Sequence, residues 1–210
     1  MENNLEKTWQ WLTPEELLQD VAWWAIYKNA FPVTEQDNKQ QILYALQTNI
    51  AKIGAYQQHG VTQAIVVFYP IYITGLPFVF LNYFAVSDRY QGQGLGRWLF
   101  NQLVSELDTI LVWEVEDPNI AVDSAEQKLR ERRWQFYLRA GAQLLNCQFI
   151  QPPIDGLNYV PMRLMCLIPK PDINIDRLER KIVAAIFFKK YKIVNHINTA
   201  TLNDLLTKIF

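Results

Sequence analysis

The chain has 210 residues, half of them hydrophobic and 20% charged, with a formal net charge of -1 and an isoelectric point near 6.1. It is long and apolar enough to bury one full core with an appended piece, and its near-neutral balance gives no global attraction to nucleic acid or to an anionic membrane. No run approaches the roughly 20 apolar residues of a membrane span, and the polar start MENNLEKTWQ is not a basic segment followed by an apolar one, so a cytoplasmic protein is expected.

In chain order, Thr13-Pro14-Glu15-Glu16 reads as a helix start, with threonine as N-cap, proline in the first turn and glutamate closing a capping box. Leu17, Leu18, Val21, Trp24 and Ala25 give that helix one apolar face, which ends near Phe31-Pro32. Trp23, Trp24 and Tyr27 could line an acceptor pocket or simply fill the core. Thr34 is the expected cap of a second helix through Ile42, Leu43 and Leu46. Strand-like runs follow at 51–57, 62–69 and 77–86, separated by turns at His59-Gly60 and Thr74-Gly75, and predict an antiparallel meander. His59, in a polar turn, reads as solvated.

The stretch 82–107, NYFAVSDRYQGQGLGRWLFNQLVSEL, joins an apolar strand end to a helix marked by Leu95, Trp98, Leu99, Leu103 and Leu107. Gly92, Gly94 and Gly96 lie at the junction. Residues without a Cβ let the backbone turn tightly and present N–H groups, and a helix N-terminus adds a positive dipole end, so the expected ligand is a phosphate or pyrophosphate. The dinucleotide spacing G-x-G-x-x-G fails, because Arg97 or Leu99 stands where its third glycine belongs. The triphosphate loop fails as well, since no lysine follows these glycines.

Residues 110–116, ILVWEVE, form an apolar strand that carries two carboxylates. Alternation places Ile110, Val112, Glu114 and Glu116 on one face and Leu111, Trp113 and Val115 on the other. Taking an ionised carboxylate out of water costs several kcal/mol unless it is paired, so the two glutamates read either as a general base or amine anchor, or as an ion pair with nearby arginines. Glu116 leads because it lies nearer the strand end, where sites open in α/β sheets. After Asp117-Pro118, Ser124 and Gln127 suggest a capping box for a helix to about Ala140, with Gly141 closing it. Cys147 and Cys166 are too few and too far apart for a zinc site or disulfide framework and read as reduced core thiols. No metal is expected.

Two motifs resemble the GNAT superfamily of N-acetyltransferases. Gln91-Gly92-Gln93-Gly94-Leu95-Gly96 is similar to its [RQ]-x-x-G-x-[GA] loop, with Val86 five residues before it, and Phe136-Tyr137-Leu138-Arg139-Ala140-Gly141 is similar to its F-Y-x-x-x-G-F helix end. Departures are Arg130 and Arg133 in place of an asparagine and an alanine, Ala142 in place of the last aromatic, a longer connection from Asp117, and Phe80 where several members keep their base. The resemblance covers roughly residues 13–168. It implies an α/β (α+β) fold with a mixed central sheet flanked by helices, and acetyl-CoA, or another acyl-CoA, as donor. It further implies that the strand ending at Val86 pairs with pantetheine, that amides of Gln91, Gly92, Gln93, Gly94, Leu95, Gly96 and Arg97 hold the pyrophosphate, and that the Phe84 N–H faces the thioester carbonyl. Tyr137 would protonate the leaving thiolate, and Glu116, with Glu114 behind it, would take the amine proton, the two carboxylates raising one another's pKa.

Two more strands are expected at 144–150 and 161–168, joined by a Pro152-Pro153 and Asp155-Gly156 loop beside the acceptor site. Lys170-Pro171 divides an acyltransferase domain, 1–170, from a C-terminal helical extension, 171–210, with helices at 176–192 and 199–210. Leu178, Ile182, Ala185 and Ile186 form the apolar face of the first, and Lys189, Lys190 and Lys192 read as a solvated face rather than a polyanion site. The extension would pack on the core or on a second copy in a homodimer. The expected function is transfer of an acetyl or short acyl group to a small-molecule or protein amine by direct attack, with no nucleic-acid or membrane partner. The alternative is a non-catalytic CoA-binding module for sensing or assembly.

Overall fold

The computed structural model describes residues 8–73, 75–169 and 173–210. The first seven residues, Thr74 of the expected Thr74-Gly75 turn, and the Lys170-Pro171 boundary lie outside the described residues.

The first helix, α1 (Pro14–Gln19), starts as expected: Thr13 accepts from the Glu16 N–H while the Glu16 carboxylate accepts from the Thr13 N–H. It stops earlier than its apolar face suggests, because Asp20 caps a separate α2 (Val21–Ala30) through the Trp23 N–H. Thr34 does not cap the next helix. Val33–Glu35 is a short 3-10 turn, and α3 (Lys39–Gln47) is capped by Asn38 in a reciprocal box with Gln41; an amide four residues later competes better because its N3 partner is a glutamine that reaches back.

Among the described residues, eight strands form one mixed sheet: β1 (Gln10–Trp11), β2 (Lys52–Gln58), β3 (Val61–Ile73), β4 (Leu76–Val86), β5 (Ile110–Glu116), β6 (Gln143–Leu144), β7 (Ile150–Gln151) and β8 (Val160–Leu167). The path runs β1-β2-β3-β4-β5-β8-β6, with β7 also on β8. β2, β3 and β4 make the predicted antiparallel meander, whereas β4 and β5 are parallel. A parallel pair needs a crossover, and α4 (Leu95–Leu107) supplies it. The single strand expected at 144–150 is instead the two short pieces β6 and β7, both antiparallel to β8. Between them, the Asn146 N–H leaves the ladder for the Glu179 carboxylate. After α5 (Ser124–Arg139), Gly141 takes a φ of 92° beyond the last turn. The cap of α5 is Asp123 rather than Ser124, because its carboxylate accepts from two N–H groups, those of Ala125 and Glu126.

Strand alternation splits the buried side chains between the two faces of the sheet. Ile65, Val67, Phe78, Phe80, Ile110 and Val112 face one layer, containing α2, α3, α6 (Glu179–Ile186) and α7 (Thr199–Ile209). Val66, Phe68, Val79, Leu81, Leu111, Trp113 and Val115 face the other, with α4 and α5. Trp23 and Tyr27 belong to the first layer as buried core, stacked at 5.5 Å. The C-terminal segment packs on that layer too, burying Ile182, Ile186, Phe187, Tyr191 and Leu202.

One irregularity in β4 matters most. Val67 pairs with Tyr83 but Phe68 pairs with Leu81, so Asn82 is an extra residue, a β-bulge. It inverts the alternation: Val79 and Leu81 face one layer, and Tyr83 and Ala85 the other.

Candidate active site

The parallel ladder between β4 and β5 registers Phe78 with Ile110, Val79 with Leu111 and Phe80 with Val112, and goes no further. Beyond it, Leu81 to Val86 and Trp113 to Glu116 border a cleft of about 640 Å³. A backbone edge without a neighbouring strand keeps unpaired N–H and C=O groups, which a ligand can satisfy.

The glycine loop forms one end of the cleft. The Gln91 amide donates to the Val86 carbonyl at 3.0 Å and to Asp88 Oδ1 at 2.9 Å, folding the loop back on the strand end. Gly92 and Gly94 have φ of 74° and 82°, where L side chains are strained. A Cβ at either would meet nothing within 4 Å, so the surface there is open. Gly94 caps α4 with no side chain, and the first helical acceptor, its carbonyl, is taken by Trp98 at 3.1 Å. The N–H groups of Leu95, Gly96 and Arg97 therefore precede the helical ladder, as an anion cradle requires. Gln91, Gly92, Gly94, Gly96 and Arg97 line the cleft with Phe84 and Val86, whereas Gln93 and Leu95 do not. The Gln93 amide turns instead to the Arg89 carbonyl.

On the same side, Tyr137 is buried against Trp113, with ring centroids 4.8 Å apart, and Phe100, at 5.4 Å. Its hydroxyl has no hydrogen-bond partner among the described residues, and Tyr137 lines the cleft. Burial pushes its pKa up to about 12, against the lowering effect of Arg133.

Glu114 and Glu116 lie where alternation puts them, but their surroundings differ. Glu116 is ion-paired to Arg133 and to Arg130, whose Nε is 3.7 Å from Oε1. Arg130 also donates to the Asp117 carbonyl and to Glu126, and the Trp134 indole donates to the Glu116 carbonyl. The arginines that depart from the family pattern thus hold the long connection after β5. Glu114 has no arginine. It accepts from the Tyr191 hydroxyl at 2.5 Å, and burial raises its pKa to about 7, opposed by Lys190 and by that hydrogen bond. The raising partner is Asp37, not Glu116, so the expected mutual effect of the two glutamates is replaced by the effect of burial.

A model of the acetyltransferase (GNAT) family matches residues 4–127, more than half of the chain. The chain belongs to this family. Solved structures share its fold. A Bacteroides thetaiotaomicron protein assigned to the GNAT family has a TM-score of 0.72 at 19% identity, over 90% of this chain and 99% of that one. The Escherichia coli ribosomal-protein-S18-alanine N-acetyltransferase gives 0.53 at 22%, over 80% and 96%. Arabidopsis thaliana NAA60 in complex with acetyl-CoA gives 0.55 at 12%, over 76% and 97%. No curated protein matches the chain in sequence.

In this GNAT chain the site also includes residues that sequence reasoning missed. Glu35, from the 3-10 turn, lines the cleft, and burial raises its pKa to about 8, reinforced by Glu116 and Glu114. Gln151, buried on β7, lines the cleft and donates to the Thr34 carbonyl at 3.0 Å. Neither carries a motif; only the packing of distant segments reveals them. Lys190 corrects an expectation: Lys189 and Lys192 are exposed, but Lys190 is 1% exposed and its Nζ is 3.1 Å from Asp37 Oδ1. Among the described residues, no group of three or more His, Cys, Asp or Glu could hold a metal, and no helix is long and apolar enough to cross a membrane.

Proposed function

We propose that this protein transfers an acetyl or short acyl group from acyl-CoA to an amine, in the cytoplasm, by direct attack within a ternary complex. The observation that carries the reading is the parting of β4 and β5 at the Asn82 bulge, which sets the glycine loop, Tyr137 and Glu114 around one cleft. The donor fits on physical grounds: the α4 N-terminus has no side-chain cap, its two left-handed glycines face open space, and Arg97, Arg132 and Arg139 add positive charge to the cleft. The acetyl-CoA complexes of Arabidopsis NAA60 and of Salmonella typhimurium yncA, which share the fold, support the same assignment.

In this reading the amine enters beside Glu35 and Glu114. Glu114 takes a proton from the amine nitrogen as the new C–N bond forms and the C–S bond breaks, and Tyr137 passes its phenolic proton to the departing thiolate. The Phe84 N–H supplies a donor for the carbonyl oxygen. We assign the base to Glu114 rather than Glu116 because two arginines already occupy Glu116, while Glu114 titrates near neutrality, where a base works best. Tyr137 stays protonated at neutral pH, as an acid must.

Glu35 and Glu114, whose carboxyls titrate near neutrality and whose ionised forms an incoming positive charge would stabilise, favour a cationic amine such as a polyamine, amino sugar or lysine side chain. The ion-paired state of Glu116 favours a second reading, a CoA-binding module without turnover. Acetyl-CoA consumption with a panel of polyamines, amino sugars and lysine-containing peptides, with products identified by mass spectrometry, separates the two. An acetylated amine supports the enzyme; CoA binding with no product across the panel supports the module.

A further inference from the structure

The segment after α6 is wound as a π-helix over Phe187–Tyr191, with the Lys192 N–H bonded to the Phe187 carbonyl at 2.8 Å. Such a wide turn is uncommon and is often found at functional sites. Here two successive residues, Lys190 and Tyr191, are both buried and engage different partners. Lys190 reaches Asp37, two residues beyond Glu35, and Tyr191 reaches Glu114. Lys190 Nζ also lies 4.0 Å from the centroid of the Tyr191 ring, so the two act as one unit. Burying a lysine carries a desolvation penalty that only a well-placed partner offsets, and Asp37, itself 0% exposed, is that partner.

We propose that Tyr191, backed by Lys190, is a positioning residue through which the C-terminal segment holds Glu114 in the orientation and ionisation state of a base. The inference rests on the reading of Glu114 as that base. The charged and titratable groups facing Glu114 come from every neighbouring element: Lys190 and Tyr191 from the C-terminal segment, and Asp37 and Glu35 from the stretch before α3. On β5 itself stands Glu116, paired with Arg130 and Arg133 of α5. Among these, the Tyr191 hydroxyl is the one hydrogen-bond donor on the Glu114 carboxylate among the described residues. A donor to the ionised form favours that form. Without it, Glu114 remains protonated to higher pH, where it cannot accept the amine proton.

The test uses the full chain labelled with 13C at the glutamate carboxyls, and the resonance missing from Glu114→Gln identifies Glu114. Tyr191→Phe keeps the ring that packs edge-on against Phe187, with centroids 6.0 Å apart, and removes only the hydroxyl. Its Glu114 midpoint should rise by about one unit, the scale of one hydrogen bond to a charged group. In the unsubstituted protein the Tyr191 ring resonance should shift with the same midpoint. An unmoved Glu114 midpoint, or a Tyr191 resonance indifferent to it, overturns the proposal. The base reading is checked apart from this, with acetyl-CoA and the panel amine that turns over: the acidic limb of the rate profile should follow the carbon midpoint in Tyr191→Phe. A midpoint that moves while Glu114→Gln keeps full rate shows that the carboxyl is held as described but that the base lies elsewhere.

Discussion

Lys190 Nζ lies 3.1 Å from Asp37 Oδ1, and the two side chains are 1% and 0% exposed. The pair ties the C-terminal segment to the loop before α3. Asn195 and Asn82 also donate to the Asp37 carboxylate, and Tyr27 donates to its carbonyl. Removing one partner of a buried pair leaves an uncompensated charge, so Lys190→Met should cost about 3 kcal/mol or more in denaturant unfolding. The double variant Asp37→Asn with Lys190→Met removes both charges and should recover a good part of that loss.

Glu35 and Glu114 make stability and activity respond to pH in opposite directions. Their pKa values are raised from 4.5 to about 8 and about 7. A raised carboxyl is neutral in the fold, so its stabilising contribution is full below about 4.5 and is lost as pH rises through the folded value. Unfolding free energy should therefore fall between about pH 5 and about pH 8, while turnover rises as Glu114 ionises. Glu35→Gln should raise stability at the alkaline end and leave the acidic end unchanged. Equal stability changes at both ends would contradict the burial of this carboxyl.

Tyr137→Phe retains the packing against Trp113 and Phe100 and deletes only the hydroxyl of this cleft-lining side chain. If that hydroxyl is the general acid, turnover should fall by about 100-fold or more with little change in acetyl-CoA affinity. Unchanged turnover would remove the role.

Gly94→Glu should abolish measurable acetyl-CoA binding in calorimetry, because it forces a side chain into a left-handed position and sets a like charge at the helix N-terminus. Gly94→Ala separates the two effects. It carries the backbone strain of about 1 kcal/mol but not the charge, and should weaken binding far less.

Much of this site was legible in the sequence where function depends on local chemistry. The glycine loop, the Phe136-Tyr137 helix end and the alternation of β5 are each read within a few consecutive residues, and the structure brings them to one cleft. The Asn82 bulge was not legible, since an apolar strand with one extra residue has the same composition as one without. Glu35 and Lys190 were missed for a related reason. A polar residue is exposed by default, and only the arrival of segments about 150 residues apart, such as Asp37 and Lys190, turns a surface charge into a buried one. The break of the 144–150 strand was equally hidden, because it depends on Glu179 capturing the Asn146 N–H across the fold.

The choice of Glu114 over Glu116 is tested most directly by the pH–rate profiles of Glu114→Gln and Glu116→Gln, measured with acetyl-CoA and the panel amine that turns over. Because burial raises the Glu114 pKa to about 7, the native protein should show an acidic limb near that pH; Glu114→Gln should lose that limb with most of its turnover, and Glu116→Gln should keep it. An acidic limb that survives in Glu114→Gln and disappears in Glu116→Gln would contradict the assignment.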